Sequence, residues 1–130
     1  MKNNGSKISD FLSLYYTLEN STSFERYMYR TRLSFCICLE LAMSQYLDNP
    51  TSFEKMCSSI PRNFGSRASI QNILNLGLND NFLTKVQSKE DKRVQLIKIN
   101  DEFLIYIETW IKMHTGVFDP AIKLKKQVFS

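Results

Sequence analysis

The first 47 residues carry apolar side chains at the three- and four-residue spacing of amphipathic helices. This spacing predicts a helix over residues 7–19 whose apolar face holds Ile8, Phe11, Leu12, Tyr15 and Leu18. The polar run at 20–23 interrupts the pattern. Residues 24–47 contain no glycine or proline and are too many for a strand, so we expect one long helix, or two helices that meet near Arg30. The most buried stripe is predicted to contain Leu33, Ile37, Leu41 and Ser44.

Two shorter helices separated by a turn are predicted next. The polar run at 48–52 forms a turn that ends in a helix N-cap. The helix after this turn is expected to direct inward Phe53, Met56, Cys57 and Ile60. Pro61 and Gly65 then break the helix. Ser66 caps a second helix over residues 66–78, whose inward side chains are predicted to be Ile70, Ile73, Leu74 and Leu78.

A hairpin and a last helix complete the predicted elements. Asn81 suits a left-handed residue after the second helix, and Gly77 inside that helix is expected to weaken it by about 1 kcal/mol relative to alanine. Residues 82–99 place short runs of β-forming residues on both sides of a charged loop, which predicts two antiparallel strands. Asn100 is expected to cap a helix over residues 101–115. The apolar residues of this helix cover more than one face, so it needs a second burying surface.

The composition indicates one globular domain. The chain has 130 residues, of which 43% are hydrophobic and 23% charged. It has no apolar run of about 18 residues that would span a membrane, and its first residues lack the apolar centre of a signal peptide, so we expect a cytoplasmic protein. Three cysteines without a metal-type spacing are expected to be reduced and mostly part of the core, with a redox role as the alternative.

The excess positive charge is concentrated in one segment. The formal net charge is +4. Residues 1–53 and residues 99–130 each carry equal numbers of basic and acidic side chains, whereas residues 54–98 carry eight basic and four acidic ones. A localised positive field attracts polyanions, above all nucleic acid.

The order of elements is that of a winged helix–turn–helix. A short helix, a turn, a second helix and a hairpin follow one another over residues 51–99. We therefore predict a mainly α fold with a two-stranded β-hairpin, flanked by helices that form a dimer. In this arrangement the second helix can enter the major groove of DNA, which is wide enough to admit it, and the hairpin reaches the backbone or the minor groove.

Residues 81–100, NFLTKVQSKEDKRVQLIKIN, resemble the wing of MarR-type transcriptional regulators. That family carries an Asp-x-Arg element in the wing, which here reads Asp91-Lys92-Arg93. The resemblance covers about residues 51–103. It implies that Arg93 contacts the DNA backbone or the minor groove and that Asp91 holds it in place. A guanidinium suits both phosphate and a narrow, negative minor groove.

The predicted second helix presents a polar face opposite its apolar stripe, formed by Arg67, Ala68, Gln71, Asn72 and Asn75. Glutamine and asparagine can bind adenine through two hydrogen bonds, and arginine can bind guanine or phosphate. Further DNA-binding candidates are Lys55 and Arg62 for phosphate, Ser66 as a cap or a phosphate contact, and the wing residues Lys89 and Lys92. The alternative is that these residues are only the solvated face of a surface helix.

These observations predict a sequence-specific regulator of transcription that binds double-stranded DNA as a homodimer. The helix over 101–115 has apolar area to spare and the amino-terminal helix is rich in aromatic residues, so these helices can pair across a two-fold axis. The alternative function is a winged-helix interaction module that docks an acidic protein. No catalytic set, metal cluster or cofactor motif can be assembled, and His114 is expected to be partly exposed near a helix end, so we expect neither enzyme activity nor a cofactor.

We expect a single domain over residues 1–130. It divides into amino-terminal helices over 1–47, the DNA-binding helices and wing over 51–99, a carboxy-terminal helix over 100–117 and a tail over 118–130. The resemblance also implies that a small effector binds between the dimerisation helices and the DNA-binding part, without identifying that molecule.

Overall fold

The computed structural model describes residues 2–17 and 23–114. Along these residues the helices are α1 (Lys2–Tyr16), α2 (Ser23–Tyr29), α3 (Arg32–Tyr46), α4 (Phe53–Ser59), α5 (Arg67–Asn79) and α6 (Leu104–Met113). The strands are β1 (Thr51–Ser52), β2 (Leu83–Gln87) and β3 (Gln95–Ile99). The predicted tail over 118–130 and the end of the predicted carboxy-terminal helix lie outside the described residues.

The first helix has different bounds from those predicted. It begins at Lys2 rather than at residue 7, because the polar residues 2–6 continue the helix without any apolar spacing to signal it. It ends at Tyr16, and Leu18 of the predicted apolar face lies outside the described residues. No residue of α1 is buried. The described residues cover the apolar face of this helix only in part, since Leu14 is half-buried and Phe11 lines a cleft with Phe35 and Trp110.

The region predicted as helical over residues 24–47 forms two helices, α2 and α3, which is the second of the two alternatives that the sequence left open. The chain bends at Arg30, and Thr31 caps α3 by accepting a hydrogen bond from the Ser34 N–H at 3.0 Å. The predicted stripe is buried along α3 at Leu33, Ile37, Leu41 and Ser44. This helix therefore forms the centre of the core, as its apolar pattern predicted.

The helix–turn–helix also forms as predicted. Ser52 accepts a hydrogen bond from the Lys55 N–H at 3.2 Å and so caps α4, and Ser66 caps α5 through the Ser69 N–H at 3.1 Å. Asn81 follows α5 with a φ of 62°, the predicted left-handed conformation. Of the predicted inward residues, those buried are Met56, Ile60, Ile70 and Leu74, and those half-buried are Phe53, Cys57, Ile73 and Leu78.

The hairpin is part of a three-stranded antiparallel sheet with the strand order β1-β3-β2. The predicted pair is present, with Leu83 opposite Ile99 and Gln87 opposite Gln95. The third strand was not predicted: residues 51–52, expected to belong to a turn, pair with β3 instead. Two residues are too few to show an alternating pattern, so the sequence contains no signal for β1.

A side-chain amide continues the sheet beyond β1. The Nε2 of Gln45 donates to the Ile99 carbonyl at 3.0 Å, and the Oε1 of Gln45 accepts from the Ile99 N–H at 2.6 Å. The two bonds satisfy both backbone groups of a residue near the end of β3. They also fix the end of α3 against the base of the hairpin.

The core lies where α3 packs against the helix–turn–helix and against the sheet. An aromatic group closes one end of it, where Phe24 lies 5.6 Å from Phe82 and 5.2 Å from Phe103 between ring centroids. The other buried apolar residues include Met28, Ile37, Leu41, Met56, Ile70, Leu74, Leu83, Ile97, Ile99 and Ile107. α5 and the hairpin are thus held on one packed core.

Gly77 lies in α5 where the sequence predicted a weakened helix. It is buried, and a Cβ at this position would lie 2.6 Å from Leu83 Cδ1 and 2.6 Å from the Tyr27 hydroxyl. That hydroxyl donates a hydrogen bond to the Ile73 carbonyl at 2.7 Å, so moving it away would break the bond. The close approach of α5 to β2 therefore favours glycine at this position in spite of its cost to helix propensity.

The last helix begins later than predicted. Residues Asp101–Phe103 form a 3₁₀ helix, and Asn100 makes no capping hydrogen bond with its side chain. The Nδ2 of Asn100 instead donates to the Asn81 carbonyl at 2.5 Å, and its Oδ1 accepts from the Thr84 hydroxyl. Asn100 therefore ties the two ends of the hairpin together, and the prediction that it caps a helix is wrong.

The remaining expectations concern α6, the cysteines and the membrane. Only Ile107 is buried in α6, while Ile105 is 59% exposed.

Cys36, Cys38 and Cys57 are all free thiols, and burial raises the pKa of Cys38 to about 12. No helix among the described residues combines the length and the apolar character needed to cross a membrane.

Candidate nucleic-acid interface

The outer face of α5 carries the predicted polar residues. Arg67, Ala68, Asn72 and Asn75 are exposed, and Gln71 is half-buried. The Nε2 of Gln71 donates to Asn75 Oδ1 at 3.0 Å, one turn further along the helix. The bond does not involve the side-chain oxygen Oε1 of Gln71 or the side-chain nitrogen Nδ2 of Asn75, which remain as polar groups on the same face.

Arg67 is bound to a residue that the sequence did not single out. Its guanidinium binds the Glu54 carboxylate in a two-bond fork, with Nη1–Oε2 at 2.9 Å and Nη2–Oε1 at 2.6 Å. The guanidinium also lies over the Phe53 ring, 5.1 Å from its centroid. The hydrogen bonds from Arg67 lower the pKa of Glu54, which keeps this carboxylate ionised.

The wing loop contains a second arginine–carboxylate pair, between Arg93 and Asp91. The Nε of Arg93 lies 3.2 Å from Asp91 Oδ1 and its Nη2 lies 3.3 Å from Oδ2, while the Arg93 N–H donates to Oδ1 at 3.0 Å. The hydrogen bonds from Arg93 lower the pKa of Asp91. The Arg93 side chain is 91% exposed, and Lys89 and Lys92 beside it are also exposed.

A cleft of about 400 Å³ connects α5 with the hairpin. Its floor is formed by apolar residues, among them Phe53, Leu78 and Ile97, and its polar lining includes Glu54, Gln71, Lys85 and Arg93. Gln71 of α5 and Arg93 of the wing therefore line the same cleft. The spacing of these residues along the chain did not specify that they would meet there.

A larger groove of about 900 Å³ lies at the turn between α4 and α5. Four predicted candidates line it, namely Arg62, Ser66, Arg67 and Ala68. Lys55 is exposed on the neighbouring helix α4. The basic candidates therefore lie in the wing, in the turn and on α4, and Arg67 is the only basic residue of α5.

The described residues contain no cluster of metal ligands, and the histidine among them lies at a helix end. No group of three or more His, Cys, Asp or Glu side chains is placed there to hold a metal ion. His114, at the end of α6, has its Nδ1 2.9 Å from the Trp110 carbonyl and its ring stacked on the Trp110 ring. These contacts give the histidine a packing role at a helix end.

No protein-family model matches the chain, and no curated protein matches it by sequence. Among solved structures, a double mutant of ZitR from Lactococcus lactis is similar with a TM-score of 0.54 and 14% identity, over 75% of this chain and 61% of the ZitR chain. The apo form of that mutant matches with a TM-score of 0.51 and 13% identity, over 95% and 81% of the two chains. The transcriptional regulator BldR from Sulfolobus solfataricus has a TM-score of 0.49 and 10% identity, over 98% and 94%.

The two similarities to ZitR establish the fold. ZitR has a winged-helix fold, and the chain shares its mostly helical architecture and its small antiparallel sheet. The chain spans 61% of the length of the ZitR chain in the first of these matches, which is less than two thirds. The predicted winged helix–turn–helix fold is therefore confirmed, with one additional short strand.

Proposed function

We propose that this protein is a transcriptional regulator of MarR type that recognises specific sites in double-stranded DNA. The observation that carries the proposal is the cleft that Gln71 of α5 and Arg93 of the wing both line. A major groove about 12 Å wide admits a helix such as α5, and the wing then lies against the backbone or the minor groove. The ZitR-like fold supports the same arrangement.

The candidate contacts divide into two kinds in this proposal. Base contacts come from the face of α5, where an amide side chain can bind adenine and the Ala68 methyl group can pack on the methyl group of thymine. Phosphate contacts come from the groups on either side of that face, namely Lys55, Arg62, Ser66, Lys89, Lys92 and Arg93. Phosphate contacts fix the position of the protein on the duplex, and base contacts choose the sequence.

We further propose that the protein acts as a homodimer through α1 and α6. Both helices expose apolar side chains, with Tyr16 73% and Ile105 59% exposed. Pairing these faces across a two-fold axis would bury them and would place two α5 helices to read half-sites about 34 Å apart. Light scattering at micromolar concentration is expected to give the mass of a dimer, and a monomer would contradict this part of the proposal.

An effector site is supported by a cleft between the helices assigned to the dimer and the rest of the fold. The cleft has a volume of about 330 Å³ and is lined by Phe11, Tyr29, Thr31, Arg32, Phe35, Trp110 and His114. Aromatic walls with one guanidinium are typical of pockets for small organic molecules. We therefore include a small effector in the proposal and assign it to this cleft.

The decisive experiment is selection of DNA sites from a random pool at moderate salt, followed by footprinting on the selected site. A regulator is expected to enrich a two-fold symmetric sequence and to bind it with an affinity that falls steeply as salt rises. Uniform, salt-sensitive retention of every sequence would contradict sequence-specific recognition. No retention of DNA, together with a salt-sensitive complex with an acidic protein, would favour the interaction-module alternative.

A further inference from the structure

The pair of Glu54 and Arg67 joins the two helices of the helix–turn–helix at the centre of the proposed interface. Arg67 lines the groove at the turn, and Glu54 lines the cleft that also contains Gln71 and Arg93. Both side chains are solvent-accessible, at 60% for Arg67 and 71% for Glu54. An ionised carboxylate thus lies on the surface that, in the proposed function, faces the phosphates of DNA.

The geometry of the fork leaves Arg67 able to bind a second partner. A guanidinium has five N–H donors. The fork to Glu54 uses one N–H of Nη1 and one of Nη2, so Nε–H and one further N–H on each Nη are not part of it. One edge of the guanidinium can therefore still present two parallel donors, which is the pattern that matches the O6 and N7 acceptors of guanine.

The same fork changes the charge that Arg67 presents. Bound to Glu54, the guanidinium is part of a pair with no net charge, so it gains little from the negative potential of any phosphate. Contact with a phosphate would also place the Glu54 carboxylate near a like charge, which is unfavourable. A base edge carries no formal charge and imposes no such penalty.

We propose that Glu54 is a specificity-determining residue, which orients Arg67 toward base edges and prevents it from binding phosphates of any sequence. This inference rests on the proposed function and assigns a role to a residue that does not itself contact a base. Arg67 thereby contributes to discrimination between sequences, whereas Arg93 in the wing contributes to affinity for all of them.

The test is the ratio of affinities for the selected site and for mixed-sequence DNA, measured with Glu54→Gln. The amide keeps the shape of the side chain and removes its charge, so Arg67 becomes a free cation. Affinity for mixed-sequence DNA is expected to rise about tenfold per dimer, with a salt dependence steeper by about 0.9 for each additional phosphate that is bound. Affinity for the selected site changes less, so the ratio falls.

Glu90→Gln is the matched control, because it removes the same charge from the exposed wing loop. This variant is expected to raise both affinities by the same factor and to leave the ratio unchanged. A second variant, Arg67→Lys, keeps the positive charge and removes the planar fork, so it is expected to weaken only the selected site. Thermal unfolding of each variant checks that the fold is retained.

The outcomes separate the two proposals. If the unmodified protein binds no DNA, both the proposed function and the role of Glu54 are wrong. If it binds the selected site but Glu54→Gln shifts both affinities by the factor seen with Glu90→Gln, only the role of Glu54 is wrong. A fall in the ratio that is confined to Glu54→Gln supports the role.

Discussion

The two arginine–carboxylate pairs of this protein are similar in chemistry and different in construction. Asp91 and Arg93 are two residues apart in one loop, and a backbone N–H joins the same carboxylate. Glu54 and Arg67 are separated by 13 positions and meet only because α4 and α5 pack against each other. The wing pair is therefore a local structure, and the helix pair depends on the tertiary fold.

This difference in construction leads to different expected behaviour. The Arg93 side chain extends into solvent with 91% exposure, so it can reach a phosphate while Asp91 limits its motion. Arg67 is bound to a residue of another helix and lies over the Phe53 ring, so its direction is set by the packing of the domain. A change in that packing should alter the helix pair and leave the wing pair intact.

The largest effect is expected from Gly77→Ala, which forces α5 away from β2. Overpacking of this kind costs about 1–3 kcal/mol of unfolding free energy, because the new methyl group collides with Leu83 and with the Tyr27 hydroxyl. Denaturant unfolding measures the decrease. The matched control is Gly5→Ala in α1, where nothing lies within 4 Å of the added carbon, and helix propensity should make it neutral or slightly stabilising. Equal effects of the two substitutions would contradict the packing role of Gly77.

The next largest effect is expected from Arg93→Ala in the wing. Without the guanidinium that reaches a phosphate or the minor groove, binding to every sequence should weaken by about tenfold, and the salt dependence should fall by about 1 for each phosphate that is no longer bound. Titrations at several salt concentrations on two unrelated sequences measure both changes. An affinity that is unaltered on both sequences would show that the wing does not touch DNA.

A smaller effect, and one limited to certain sequences, is expected from Gln71→Ala and Asn72→Ala on α5. Removal of a base contact should reduce discrimination at one or two positions of the site by about fivefold, while binding to mixed-sequence DNA stays the same. Repeating the selection with each variant identifies the positions. Asn3→Ala on α1 is the control, and a selected sequence identical for all variants would rule out base contact by these two side chains.

The smallest effect is expected from Asp91→Asn. Exposed ion pairs contribute little, so the affinity should change by less than about threefold and by the same factor on the selected site and on mixed-sequence DNA. Competition titrations on both DNAs provide the comparison. A sequence-dependent effect here, like that expected for Glu54→Gln, would remove the distinction between the two pairs.

The sequence was informative wherever partners lie close along the chain. The apolar stripe of α3, the cap at Ser66 and the left-handed Asn81 all follow from local spacing and residue type, and the structure has them. The side-chain contact of Asp91 with Arg93 was implied by the resemblance of the wing to that of MarR-type regulators, and it too joins residues only two positions apart. Such features need no knowledge of how the helices cross.

The features that the sequence did not predict depend on distant partners. Glu54 meets Arg67, and Gly77 meets Tyr27, only after the helices have packed, and no local pattern specifies the angle at which they do so. Asn100 has the residue type of a helix cap, yet its amide binds the carbonyl of Asn81, which precedes the other strand of the hairpin. In each of these cases a tertiary contact outweighs the local preference.

The Gln45 amide has a consequence for how this protein behaves in concentrated solution. Strand β1 covers only two residues of β3, and an uncovered backbone edge invites pairing with a strand of another molecule. By binding both the N–H and the carbonyl of Ile99, Gln45 occupies the next position along that edge. We therefore expect this side chain to hinder edge-to-edge pairing with another molecule, beside a strand of only two residues.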